Sequence, residues 1–152
     1  MRKLLVLLVV ITACKRGEAP PAPPPIDPAM RQLPLAARLD REARSRPTGT
    51  PRAEEVLAAL ARGGLTLQEP RQVLASTVGA AYCTSAGTPR GVAIAVCEYP
   101  AEEAARRGLE YSHRAFDRLI PGRRLLLNRK TMLTVTGADD QARRAAEIFA
   151  AL

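Results

Sequence analysis

The chain has 152 residues, 47% hydrophobic and 25% charged, with only 3% aromatic, 13 Pro and 10 Gly. That length supports one domain rather than two. The composition excludes a multi-span membrane protein and a collagen, and three Cys are too few for a disulfide-dense miniprotein. The net charge is +8, from 23 basic against 15 acidic residues, and Arg outnumbers Lys 20 to 3.

Residues 1–14 read MRKLLVLLVVITAC. Arg2 and Lys3 form a positive start, and Leu4 to Ile11 is an unbroken apolar run. The run is too short to cross a bilayer core of about 30 Å as a helix, but it suits the apolar segment of an export signal. Ile11-Thr12-Ala13-Cys14 then resembles the lipobox of bacterial lipoproteins: a branched apolar residue, a small or β-branched one, a small one, and Cys. Leu is the more typical first residue of that motif. The resemblance covers these 14 residues only. It implies a signal peptide over 1–13, diacylglycerol on the Cys14 sulfur, cleavage before Cys14, and often acylation, such as palmitate, on the new amine. Two or three acyl chains anchor firmly where one is marginal. Lys15 stands where the enteric inner-membrane retention pattern has Asp. The resemblance therefore implies the outer membrane, facing the periplasm or the cell surface.

Ala19 to Pro28 has six Pro in ten residues and favours extended polyproline II. Leu35 to Ser45 allows a short helix, bracketed downstream by Pro47 and Pro51. Residues 14–51 thus read as a lipidated Cys plus a tether, able when stretched to lift a domain by roughly 100 Å. Residues 52–152 read as one domain.

In that domain Glu54 and Glu55 suit the first turn of a helix. Val56, Leu57 and Leu60 share a face, and Gly63-Gly64 ends it. Leu65 to Glu69 is a connector or short strand. Val73 to Ala86 stays open, since residues 73–82 fit strand or helix equally. Val92 to Tyr99 alternates as a strand, with Val92, Ile94 and Val96 on one side. Pro100 to Ile120 makes a helix with Pro at its first position. Its apolar stripe runs from Ala101 through Ala105, Gly108, Ser112 and Phe116 to Leu119 and Ile120, stopped by Pro121-Gly122. Arg123 to Leu127 and Thr131 to Thr136 form a hairpin around Asn128-Arg129-Lys130. Asp139 or Asp140 caps a last helix with Ala142, Ala145, Ala146, Phe149 and Leu152 inward. One helix followed by strand-strand-helix twice predicts an α+β fold, a small antiparallel sheet with helices packed on one face.

The turn chemistry predicts a crosslink. Thr88-Pro89-Arg90-Gly91 suits a three-residue hairpin loop with Gly91 at positive φ. Thr88 then faces Val92, and Cys83 falls opposite Cys97 at a non-hydrogen-bonded position, where Cα atoms lie about 4.5 Å apart. That separation is within disulfide reach, and export favours the bond.

Catalytic chemistry finds little support. The one histidine, His113, shares a polar helix face with Arg106, Glu110 and Asp117, and the 113/117 spacing allows a His–Asp pair. Ser76, Ser85 and Ser112 sit in no nucleophile motif, and Glu98 has no defined second acid. A single His with both Cys engaged leaves a zinc site short of ligands, so no metal or cofactor is expected. Arg123, Arg124, Arg129 and Lys130 flank the second hairpin, and Arg143 and Arg144 lie on the last helix. Such clusters suit an anionic envelope polymer or lipid headgroups. Nucleic acid is not expected with so few stacking aromatics. The expectation is a lipid-anchored cell-envelope protein with a non-catalytic interaction domain for an envelope protein or acidic polymer. The alternative is a small periplasmic enzyme, hydrolase-like or thiol redox.

Overall fold

The computed structural model describes residues 22–48, 51–137 and 140–152. The signal peptide, Cys14 and the proposed Asp139 cap lie outside the described residues. No helix among the described residues is long and apolar enough to cross a membrane.

The fold is a small α+β unit built on a five-stranded antiparallel sheet. The strands are β1 (Arg71–Val73), β2 (Tyr82–Gly87), β3 (Ala93–Glu98), β4 (Arg124–Asn128) and β5 (Thr131–Thr136), in spatial order β1-β2-β3-β5-β4. The helices are α1 (Pro28–Arg31), α2 (Leu35–Arg44), α3 (Ala53–Arg62), α4 (Glu102–Phe116) and α5 (Asp140–Ala150). The open stretch at residues 73–82 is neither one strand nor one helix. It holds the end of β1, a 3-10 turn over Ala75–Val78 closed by Gly79 at φ 71°, and the first residue of β2.

Alternation along the strands divides the core in two. Ala86, Ile94, Val96, Leu133 and Val135 point to one face, where they pack with Val56 and Leu60 of α3 and Ala142, Ala145 and Phe149 of α5. Cys83, Cys97 and Met132 point to the other face and pack with Tyr99, Ala75 and Ala105 of α4. Helices therefore cover both faces, which corrects the single-face layering within the predicted class. The reason is Gly108: with no side chain there, α4 lies directly on the Tyr99 ring.

Helix α4 is also shorter than the predicted Pro100–Ile120. Asp117 is its C-cap, and the N–H groups of Leu119 and Ile120 both return to the Phe116 carbonyl in a tight turn. Leu119 and Ile120 leave the buried stripe for solvent, at 74% and 38% exposure, and Leu152 at the chain end is likewise exposed. The second hairpin closes more tightly than predicted: Asn128 pairs with Thr131, leaving a two-residue loop with Arg129 at φ 52°.

The segment read as tether differs most from its expectation. Pro24 packs on Gly79, where only a hydrogen fits comfortably. Glu42 of α2 is buried and accepts the Ala75 and Ser76 N–H groups at 2.9 and 3.1 Å, closing the free end of the 3-10 turn. Gln72 Nε2 donates to the Leu39 carbonyl at 2.7 Å. Arg46 reaches the sheet, and the Thr131 hydroxyl donates to the Pro51 carbonyl at 2.5 Å. Pro24, Leu39, Glu42, Arg46 and Pro51 thus hold this segment against the domain as a strap rather than a free spacer.

Candidate functional site

The predicted hairpin register is present in full. Thr88 N–H donates to the Val92 carbonyl at 2.9 Å, Gly91 has φ 84°, and Cys83 pairs with Cys97 across β2 and β3. The two Cα atoms are 4.2 Å apart and the sulfurs are bonded. Cys83 is 1% exposed and Cys97 6%, beneath Tyr99 and α4. The disulfide is thereby shielded as a structural staple.

Glu98 is the centre of a buried ionic cluster. Its carboxylate accepts from Arg46 Nε at 2.8 Å and Nη2 at 2.5 Å, and from the Ala53 N–H at 2.6 Å. The same guanidinium grips Glu54 with two bonds of 2.6 Å and lies 4.0 Å above the Tyr82 ring. Arg46 holds the Glu54 carboxyl below its usual range, and the two carboxylates raise Arg46. The Glu98 carboxylate is thus taken up in charge-assisted bonds that tie Arg46 and the start of α3 to the end of β3. Sequence reasoning missed this cluster because Arg46 lay in the supposed tether.

The histidine pair exists, but as part of a helix-end clamp. His113 Nδ1 sits 2.8 Å from Asp117 Oδ2. Arg123 Nη2 donates to Asp117 Oδ1 at 2.9 Å and to the Ser112 carbonyl at 2.7 Å, with its guanidinium over Phe116. Arg123, then His113, bond the Asp117 carboxylate and hold its pKa below the normal range. The Ser112 hydroxyl is buried, Ser76 is tied to Arg38 and Glu42, and Ser85 stands half-buried on β2. These groups do not converge on one place. No cluster of His, Cys, Asp and Glu suited to a metal occurs among the described residues.

The four basic residues of the second hairpin are not one patch either. The Arg123 side chain is 6% exposed and committed to Asp117. Arg124 begins β4 while Arg129 and Lys130 lie in the loop beyond its other end, roughly 17 Å away along a strand. Arg143 and Arg144 are exposed on α5, across the sheet from α4, and Arg143 bonds Asp140 at 2.7 Å. Folding scatters a basic run that looks continuous in sequence.

A different basic stripe is assembled on α4. Arg107, Tyr111, Arg114 and Arg118 are spaced four, three and four apart, which places them in one line on a helix and its continuing turn. All three Arg are exposed, and Tyr111 is half-buried, meeting Phe116 edge-on at 5.9 Å. The stripe ends at Leu119-Ile120 on the turn. Alongside it, Ala22 and Pro23 to Pro25 form one wall of a groove of about 480 Å³, with Val78, Gly79, Arg107, Tyr111 and Arg114 on the other walls. The spacing was legible in the sequence. Its significance was hidden because Leu119 and Ile120 were assigned inward.

No protein-family model, no curated protein and no solved structure matches this chain.

Proposed function

We propose that the chain is a lipid-anchored protein of the bacterial cell envelope whose folded part is a non-catalytic interaction domain. The observation that carries this reading is the string Leu4 to Cys14, an apolar run behind Arg2 and Lys3 that ends in Ile-Thr-Ala-Cys. Only a thiol supplies the soft nucleophile that a thioether-linked diacylglycerol requires. The reading places the protein on the outer membrane, facing the periplasm or the cell surface. The Cys83–Cys97 bond supports it, because such bonds form and persist in oxidising compartments. The role as a binding module is supported by the use of the ionisable groups: Glu98, Asp117 and Arg123 hold elements together, while exposed Arg side chains are presented outward on α4.

The test is metabolic labelling with an alkyne fatty acid, followed by mass spectrometry of the N-terminal peptide. The expected result is a peptide beginning at acylated Cys14, and loss of label in Cys14→Ala. A native polypeptide retaining Met1 and free of fatty acid would overturn the reading. His113→Ala bears on the enzyme alternative: under the binding reading, cells carrying it keep the wild-type phenotype.

A further inference from the structure

Building on the anchored reading above, we infer that the α4 stripe Arg107–Tyr111–Arg114–Arg118, with Leu119 and Ile120 at its tip, is a membrane-docking face for a bilayer rich in anionic headgroups. Two observations point there. The first is the reach of the chain. Ala22 to Pro25 lie along the stripe, and eight residue steps separate Ala22 from Cys14. Fully extended, eight steps span about 29 Å. An acyl chain at Cys14 therefore holds this face close to the bilayer, instead of the roughly 100 Å that a free 37-residue spacer would permit.

The second observation is the chemistry of the face. Arg114 and Arg118 are exposed one turn apart, Tyr111 offers an amphipathic ring, and Leu119 projects with 74% of its surface in water. Cations with an aromatic ring and a protruding aliphatic tip suit the headgroup layer. Acidic neighbours are present: Glu103 bonds Arg107 at 2.6 Å, and Glu110 lines the same groove. Asp117 is already engaged by Arg123 and His113. The attraction thus falls mainly on Arg114 and Arg118. Across the sheet, Arg143 and Arg144 provide an equal pair of charges on α5 for comparison.

The experiment uses the full mature chain with Cys14→Ser, which removes the anchor and isolates the face. Co-sedimentation is measured with vesicles of phosphatidylglycerol mixed with phosphatidylcholine, and with phosphatidylcholine alone. The chain is expected to bind the mixed vesicles, to be released by high salt, and to ignore phosphatidylcholine. Arg114→Glu with Arg118→Glu should weaken binding by more than about thirtyfold: losing the two cations alone costs about 1 kcal/mol each near the surface, and the two new carboxylates add repulsion. Arg143→Glu with Arg144→Glu, an identical change in net charge, should leave it within about threefold. Leu119→Ser should weaken it by about tenfold, and Arg114→Lys with Arg118→Lys should retain it. Coincident thermal melts separate loss of the face from loss of the fold. Equal losses from the two charge reversals, no preference for anionic vesicles, or retention only on a soluble acidic polysaccharide would each overturn the proposal. Acylation of Cys14 in cells is read separately, so failure of the anchor and failure of the face are distinct results.

Discussion

A carboxylate buried to 4% exposure, as Glu98 is, persists only where its charge is matched. Here Arg46 supplies the match and the Ala53 N–H fills a further lone pair. Glu98→Gln keeps an oxygen for Ala53 but removes the buried one of the two carboxylates on the Arg46 guanidinium, leaving the more exposed Glu54 as its ion-pair partner. The expected cost is about 2 kcal/mol, that of weakening charge-assisted hydrogen bonds, read as a lower urea midpoint with an unchanged slope. Glu54 and Asp117 give a pH dependence of definite sign. Both carboxyl groups are depressed in the folded state by neighbouring Arg side chains. They bind their protons more weakly folded than unfolded. The stability they add is therefore complete above the unfolded range near 4 and is lost as pH falls through the depressed values. Exposure screens both, so the urea midpoint should fall gently between about pH 5 and about pH 2. Asp117→Asn should remove part of that slope.

At the scale of elements, close packing decides the second layer. A Cβ at Gly108 would overlap the Tyr99 hydroxyl and ring edge, and Tyr99 is itself fully buried. Gly108→Ala gains about 1 kcal/mol of helix propensity but forces α4 off the sheet, with an overpacking cost of about 1–3 kcal/mol. The net expectation is a lower melting temperature, although the same change stabilises most helices. The elements themselves were largely legible. Alternation at Val92, Ile94 and Val96 and the Thr88–Gly91 turn were sufficient to place β3 and the cysteine register, because those signals are local, while the start of β2 lay in a stretch left open between strand and helix. What the sequence hid was the end of α4. Phe116, Leu119 and Ile120 continue the helical period, yet the helix unwinds at Asp117 where Arg123 captures the last turn. That contact depends on a residue from the following strand connection.

For the whole molecule, the strap changes where the folded unit begins. If residues before Arg52 were only a spacer, chains starting at Ala22 and at Arg52 would be equally stable. The structure predicts otherwise. The shorter chain loses the Glu42 contacts to Ala75 and Ser76 and leaves Glu98 buried without Arg46. Differential scanning calorimetry should show a markedly lower melting temperature for the chain starting at Arg52. Proline content suggested an extended tail, and only contacts spanning 33 and 52 residues show that it is held. Pairings of that separation leave no periodic trace in a single sequence. The staple works at the same scale. Cys83→Ser with Cys97→Ser opens a 14-residue separation, with an expected loss of about 3 kcal/mol. Reductant should lower the wild-type melting temperature and leave the double variant unchanged.

The short path between Cys83 and Cys97 also orders the events of biogenesis. Both sulfurs belong to a single hairpin, Tyr82–Glu98, whose ladder is complete before α4 begins. If the chain is exported as proposed, threading out N-terminus first, the hairpin can be oxidised while β4, β5 and α5 are still in transit. The staple is then fixed before the covering helix arrives and excludes further thiol exchange.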